Sequence, residues 1–421
     1  MKTNKETILV TEYYYPDTAS TGKLMTDLAV GLQERGLDMT VYTSQPNYHS
    51  GENKKQPRLS IHDGVLVKRI LAPQVRQSSL IRRLFNWVVF SLWMSIVLLV
   101  SPSKKERELV FVSNPPFLPA LLWLVCTIRR WDYTYIVHDV YPDQPVELGY
   151  LQKEGIVARI WRSLNVQALQ RAKNVVALGP VMRDRLLNTS QLEKEDVAVI
   201  DNWADESFIE AKSKDENWFS QEHNLTDQFT VLYSGNIGEF HDLETVVKAA
   251  AEFDGDDVCI LIIGDGDNKE KIVELSESLG VKDDTVRFLP YQPWEDVPYS
   301  LTSGDVSIVT VREGFEGICV SSKMYTAMAA GMPILTIAQS YDDEAQIITK
   351  AESGIQVPQE DVAGVVEAIR KWKNDPRFVE EQGQNARKVF EEKFTRDAAI
   401  DRYYKLLTRK EDEYPATVVK Q

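Results

Sequence analysis

The sequence predicts an α/β protein of two doubly wound, Rossmann-like domains, each a parallel sheet covered by helices. Three observations carry that prediction. Short apolar strand-like runs alternate with helix-like runs, the alternation starts afresh after residue 228, and glycine-bearing turns follow several strands. In the first series "ILVTEYY", "MTVYTS", "VLVKRI", "LVFVS", "YTYIVHDV", "NVVAL" and "VAVI" read as strands, rich in β-branched and aromatic residues. "GKLMTDLAVGLQERG" reads as a helix with apolar Leu24, Leu28, Val30 and Leu32, stopped by Gly36. The second series is "FTVLYSG", "CILIIGDG", "VRFLPY", "VSIVTV", "PILTI" and "GIQV", with helices over 242–253, 268–279 and 361–373. The polar stretch 210–228 reads as the linker. The expected domains are therefore 1–209 and 229–394, followed by a helix and tail over 395–421. A ligand site is expected at the carboxyl ends of strands facing the gap between domains.

A chain of 421 residues, 43% hydrophobic and 26% charged, has the composition of a folded protein of about two or three domains. Cys126, Cys259 and Cys319 lie in apolar runs without metal-ligand spacing, which points to a reducing compartment. "MKTNKETILVTEYYY" enters a strand with no apolar signal core, so secretion is not expected. The net charge of −15 is unevenly spread. Residues 1 to 200 carry 25 Lys and Arg against 19 Asp and Glu, or +6; subtraction from 48 and 63 leaves 23 against 44, or −21, for residues 201 to 421. No nucleic-acid partner is expected.

The basic excess has a location. Arg76, Arg82, Arg83, Lys104, Lys105, Arg107, Arg129 and Arg130 flank the two most apolar stretches, 84–100 and 117–128. The first holds 17 residues, at the short limit for a membrane span, and has basic residues at both ends. The second is too short to span and is interrupted by Pro119. Two readings stay open: buried helices of an α/β domain, or a face that dips into a bilayer while Lys and Arg meet anionic head groups. Trp87, Trp93 and Trp123 suit either.

Several strand-to-helix turns are candidate sites. "DTASTGK" (17–23) has the Gly-Lys of a Walker loop, but Asp17 replaces the first Gly and Leu24 the magnesium-binding hydroxyl, which excludes an ATPase loop. "IIGDGDNKEKI" lacks the third Gly of a dinucleotide fingerprint, and its Asp265-Gly266-Asp267 reads as a turn rather than a metal site. In "YSGNIGEFHDLETVV", Gly235, Asn236 and Gly238 let a backbone approach a ligand, with His241 and Asp242 following. "VREGFEGICVSSKMYTAMAAGMPILTI" is the most informative run. A strand ends in Arg312, Glu313, Glu316 and Gly317, and a helix then starts that Ser321 or Ser322 can cap. Lys323 stands in its first turn, where the helix dipole disfavours a cation, so an anion is expected there. Tyr325 and Thr326 follow on the same helix.

These runs together resemble the GT-B glycosyltransferases of the large retaining family that includes sucrose, mannosyl and O-antigen transferases, the family 4 group. "RGLDMTVYTSQPNY", "VHDVYPDQPVELG", "VIDNWAD", "LIIGDGDNKEKI" and "SKMYTAMAAGMPIL" appear in the family's order across nearly the whole chain. "YSGNIGEFHDL" and "EGICVSSKMYTAMAAG" are most similar to the subgroup associated with colanic acid, capsule and O-antigen assembly. Two family positions differ. The paired glutamates eight residues apart fall on Ile318 and Thr326 here, and the diphosphate-binding Arg and Lys on Asn236 and His241.

The resemblance implies a C-terminal helix returning to the N-terminal domain and transfer of a sugar from a nucleotide diphosphate sugar, with no cofactor and no metal. Gly22, Asn236, Gly238, His241, Arg312, Glu313, Gly317, Ser322, Lys323, Tyr325 and Thr326 would contact the donor. His138 would touch the transferred sugar and Glu316 its hydroxyls. A lipid-linked, polyprenyl-diphosphate acceptor would lie near Arg82, Arg83, Lys104, Lys105, Trp87 and Trp93, on an enzyme that is cytoplasmic and peripheral on the inner face of the membrane. A nucleotide-sugar epimerase of the same architecture, and a non-enzymatic partner of a polysaccharide assembly complex, remain alternatives.

Overall fold

In the computed structural model, residues 5–17, 19–46, 55–71, 80–102, 105–209, 213–253, 255 and 257–409 are described. The chain forms two units. One holds residues up to Asp201 and again from Asp397; the other is Asn202–Arg396.

The first unit is built on β1 (Lys5–Val10), β2 (Asp38–Thr43), β3 (Leu59–His62), β4 (Val65–Arg69), β5 (Glu106–Val112), β6 (Asp132–Val137), β7 (Asn174–Ala177) and β8 (Val197–Val199). Their order is β3-β4-β2-β1-β5-β6-β7-β8, parallel throughout except for β3 against β4. Ile8, Leu9 and Val10 are fully buried, as a strand covered on both faces demands. The short edge strand β3 was not expected: its four residues are partly or fully exposed and give no continuous apolar run.

The second unit holds β9 (Phe229–Ser234), β10 (Val258–Ile263), β11 (Val286–Leu289), β12 (Val306–Thr310), β13 (Ile334–Ile337) and β14 (Gly354–Val357) in the order β11-β10-β9-β12-β13-β14, all parallel. Strand order reverses between β9 and β12. Loops leaving two neighbouring strands in opposite directions open a crevice at such a point, where open α/β sheets bind ligands. Apolar side chains pack on both faces of this sheet, Val231 and Ile260 on one and Leu232 and Leu261 on the other.

One boundary differs from expectation, and the C-terminal helix returns to the first unit as expected. Residues 213–228, read as a linker, belong to the second unit. Asn217 caps the helix Trp218–Glu222, accepting from the Phe219 N–H at 3.0 Å, and donates to the Tyr299 carbonyl at 2.7 Å. Phe219 and Leu225 are fully buried. The polar composition misleads because its polar groups are satisfied within the fold. At the other end, the helix Arg396–Thr408 joins the first unit. A Cβ on Gly31 would stand 2.3 Å from Ile400 Cδ1, so glycine makes room for this helix. Arg402 pairs with Asp201 at 3.0 Å.

Candidate active site

At the carboxyl end of the second unit's sheet two glycine turns pack backbone to backbone. After β9 the chain turns through Gly235-Asn236-Ile237-Gly238, and after β10 through Gly264-Asp265-Gly266. The Gly235 N–H donates to the Ile263 carbonyl and the Ile237 N–H to the Asp265 carbonyl, both at 2.9 Å. A Cβ on Gly264 would lie 1.9 Å from the Gly235 oxygen, and one on Gly266 2.4 Å from the Ile237 oxygen. These two glycines are thus accounted for by packing. The Gly266 N–H donates to Asp265 Oδ1 at 2.9 Å, so Asp265 is engaged in its own turn.

Gly235 has φ +135, and its position would bring a Cβ within 2.9 Å of Lys323 Cε. The glycine therefore lets the Lys323 side chain lie under the turn. Lys323 Nζ is 3.2 Å from His241 Nε2 and 5.0 Å from the centre of the Tyr233 ring. Burial pushes its amine down to about 8. His241 is 2% exposed, and its Nδ1 accepts the Gly238 N–H at 3.1 Å. Burial, and after it the Lys323 charge, holds His241 well below the usual histidine range. Two residues 82 positions apart thus meet at one point. Nothing in their local sequence signals the pairing.

Around this point the other expected donor contacts take different places. Asn236 is exposed at the turn, and its carbonyl accepts the Tyr233 hydroxyl. Arg312 pairs with Glu244 at 3.2 Å and donates its N–H to the Phe240 carbonyl at 2.9 Å. Glu313 is exposed, while Gly317 adopts φ +67 in the same loop. Glu316 is buried; its carboxylate accepts the Gly314 N–H at 2.9 Å and the Gln359 amide at 3.2 Å. Gln359, not foreseen from sequence, also donates to the Val311 carbonyl at 2.9 Å and so ties down both ends of the loop.

The helix expected near Ser322 spans Lys323–Ala329, only seven residues. Ser322 is its N-cap residue but makes no side-chain cap bond; Ser321 Oγ accepts the Lys323 N–H instead, at 3.3 Å. So short a helix adds little dipole, and Lys323 itself carries the positive character. Tyr325 does not line the crevice: it is fully buried and meets Phe394 edge-on at 5.2 Å, because its position on the helix turns it into the core. Thr326 stays partly exposed and donates to the Lys323 carbonyl at 2.9 Å. Glu344 was missed; fully buried, it accepts the Ser321 N–H. Among the described residues no cluster of three or more His, Cys, Asp or Glu side chains gathers for a metal.

The first unit presents three relevant features. Gly22 is buried in the helix Ser20–Glu34, where a Cβ would press on Tyr13 at 3.2 Å. Lys23 pairs along that helix with Asp27 at 3.0 Å. His138 follows β6. Its N–H and that of Asp139 donate to Ser113 Oγ at 3.0 and 2.9 Å, and burial pushes its imidazole down to about 4. The Asp139 carboxylate accepts from Asn114 at 2.6 Å, and burial lifts it to about 6.

The third feature is an apolar face. The helix Leu80–Val100 has 21 residues, longer than the apolar run read from sequence, and by length and composition it could cross a membrane. Yet Phe90, Met94 and Leu98 are buried one turn apart, so one side is seated in the unit. Its other side exposes Phe85, Leu92, Trp93 and Ile96, at 46 to 53%. The helix Leu118–Arg129 packs between this helix and Ile156–Arg171. Pro119 lies in its first turn and starts the helix rather than interrupting it. These neighbours expose Leu124, Ile128, Ile156, Val157 and Ile160. Trp87 is partly buried, unlike the outward Trp93. Arg82 is exposed and Arg83 partly so; Lys105 pairs with Asp38 at 2.6 Å, and Lys104 lies outside the described residues.

Comparison with known proteins agrees with this architecture. Residues 214–389 match the family described as glycosyl transferases group 1, and residues 21–203 match the glycosyl transferase 4-like domain. The chain is 24% identical to the protein named as colanic acid biosynthesis glycosyl transferase WcaI of Escherichia coli K12, over 85% of this chain and 89% of the relative. It is 24% identical to glycosyltransferase WbjE of Pseudomonas aeruginosa, over 67% and 70%. The sucrose-phosphate synthase of Thermosynechococcus elongatus shares its fold with TM-score 0.75 at 16% identity, over 96% of this chain and 98% of that one. The structure of Anabaena Alr3699/HepE with UDP-glucose does so with TM-score 0.71 at 14% identity, over 96% and 99%. Two sheets of this order and both halves of the chain matched together mean that the chain belongs to the GT-B glycosyltransferases, with a group 1 domain behind a glycosyl transferase 4-like domain.

Proposed function

We propose that this glycosyltransferase moves a sugar, with retention, from a UDP- or GDP-sugar to a polyprenyl-diphosphate-linked glycan. The observation that carries the donor half is Lys323 lying beneath the Gly235 turn, where strand order reverses between β9 and β12. The departing nucleotide diphosphate gains negative charge, and a cation fixed at that point stabilises it. The UDP-glucose held by the HepE structure supports a nucleotide-sugar donor. Asn236 offers its side-chain amide at the same turn, where the Gly238 N–H is held by His241, while Arg312, Glu313, Gly317, Ser322 and Thr326 lie on the loop and helix that carry Lys323. Gly22 and His138 are assigned to the donor and its transferred sugar by family resemblance, and Glu316 to the sugar hydroxyls. The charge stabilisation is supplied by the protein, so no metal or cofactor is required.

The acceptor half rests on the first unit. Its exposed apolar helices, bordered by Arg82, Arg83, Arg129 and Arg130, match the apolar and anionic parts of a lipid-linked diphosphate. They also fit an anionic bilayer on whose cytoplasmic face the enzyme lies. The test is a panel of UDP- and GDP-sugars incubated with a lipid-linked acceptor extract, scored for nucleotide release and for the anomeric configuration of the product. Acceptor-dependent release that survives EDTA is expected. Lys323→Ala should weaken UDP or GDP binding at least about tenfold, since a charge-assisted bond is worth roughly 1.5 to 3 kcal/mol. Free epimer formed without acceptor, or nucleotide bound but never turned over, would replace this reading by an epimerase or a non-enzymatic partner.

A further inference from the structure

The contact between His241 and Lys323 poses a proton problem. The Gly238 N–H donates to His241 Nδ1, so that nitrogen carries a lone pair and no proton. A neutral imidazole then has its proton on Nε2, the atom 3.2 Å from Lys323 Nζ. A charged ammonium has no lone pair to accept it. Two donors cannot share this contact, and an imidazolate is out of reach at any ordinary pH. The contact is satisfied only when Lys323 is an uncharged amine. A diphosphate makes the opposite demand, because it needs the ammonium.

We propose that His241 and Lys323 form a proton-linked pair in the donor site: at mildly alkaline pH Lys323 accepts the His241 Nε2–H as a neutral amine, and takes up one proton from solvent as the nucleotide diphosphate enters. The proton adds to Nζ, the Nε2–H contact is released, and the new N–H bonds turn to phosphate oxygens. His241 keeps its single proton throughout and is a positioning residue. The proposal rests on the donor-site reading above.

The surrounding groups define the balance. Tyr233 presents its ring face to Nζ and favours the charged amine. Cys319 and Glu344 also raise the affinity of Lys323 for a proton, but burial outweighs both. Glu344 is itself held well above the usual carboxylate range, by burial first and then by the neighbouring Asp342. Arg312 adds positive charge that opposes a second proton on His241. An entering diphosphate tips this balance because it sets fixed negative charge against Nζ.

The experiment is calorimetric titration of the full chain with UDP and with GDP at pH 8.5, in buffers of different ionisation enthalpy. At that pH the phosphates are fully ionised. With the free amine at about 8, uptake of about 0.7 proton per nucleotide is expected, and affinity should fall towards tenfold per pH unit above that. Lys323→Arg, which is always charged, should bind without proton uptake. If the wild-type protein binds nucleotide with no buffer-dependent heat, the proton link is overturned and the anion site stands. If neither nucleotide binds at pH 7, the anion site is overturned and the proton link with it. Should the arginine variant fail to fold, the wild-type titration still decides.

Discussion

The two units share a doubly wound sheet but finish their surfaces differently. In the second, the outward helices are polar outside. Val362–Asn374 buries Val365, Ile369 and Trp372 and ends in Lys371 and Lys373, and large exposed apolar residues are scattered singly as Trp218, Leu279, Tyr291, Trp294 and Tyr341. In the first, three adjoining helices expose Phe85, Leu92, Trp93, Ile96, Ile128, Ile156 and Ile160. The architecture therefore does not require an apolar exterior, since the same plan closes without one in the same chain. Contiguous exposed apolar surface marks interaction, whereas scattered residues need no explanation. One unit concentrates charge and backbone donors at a sheet reversal; the other spreads grease along its flank.

The largest expected effect separates the two. Gly264→Ala forces a Cβ to 1.9 Å from the Gly235 oxygen, at a φ of +140 that alanine resists. Backbone on both sides leaves nothing flexible to give. A loss of about 3 kcal/mol or more, near 10 °C in melting temperature, is expected, with nucleotide binding lost. Binding to liposomes through the first unit should persist. If nucleotide affinity survives Gly264→Ala, the packed glycine turns do not form the donor site.

The next largest effect lies in the pH response of the first unit. His138 has a folded pKa of about 4, below the ordinary 6.5. Between those values the unfolded chain takes a proton that the folded chain refuses, so stability is lost as pH falls from 6.5 to 4. Glu12 acts the other way. Burial lifts its carboxyl to about 8, so the folded chain gains stability as pH falls from 8 to 4.5. Asp139, lifted to about 6, adds to Glu12. His138→Gln should remove the acid loss, on the order of 3 kcal/mol at pH 4, and leave the opposing slope. Denaturant midpoints measured from pH 4 to 8 check it. Parallel curves for wild type and variant would show that His138 is not buried neutral.

How much of this was legible in sequence follows a physical line. Strands and helices, the two-domain plan and the glycine turns at 235–238 and 264–266 were readable, because each is written in a local pattern of apolar runs and breakers. Segment 213–228 was misread because Asn217 satisfies itself on Tyr299, a partner 82 positions away. Tyr325 looked like a site residue beside Lys323, yet two positions along the helix turned it inward. Lys323 was singled out by its conflict with a helix dipole, but the seven-residue helix makes its partner His241 the more important neighbour. Short-range signals located the turns; long-range pairings, which decide protonation, left no local trace.

The smallest effects grade the apolar flank itself. Leu92 and Ile96 are 49% and 53% exposed, so replacing both by Ser should change stability in solution by less than about 1 kcal/mol. On a membrane the same side chains gain apolar burial of roughly 1.5 kcal/mol or more each, so binding to liposomes should weaken at least about tenfold, at low and high salt alike. Arg82→Glu and Arg83→Glu should lose about 1 kcal/mol of attraction per basic charge removed, only with anionic lipids, and the loss should vanish in high salt. Lys105→Glu should do least, because Asp38 at 2.6 Å already offsets that charge. Sedimentation with neutral and anionic vesicles, with and without salt, ranks the variants. A protein that stays soluble with every composition would make the flank a surface for another protein. One that resists alkaline carbonate would make Leu80–Val100 a spanning helix. That second outcome would have to overcome the burial of Phe90, Met94 and Leu98, which hold the helix by one side to its own unit.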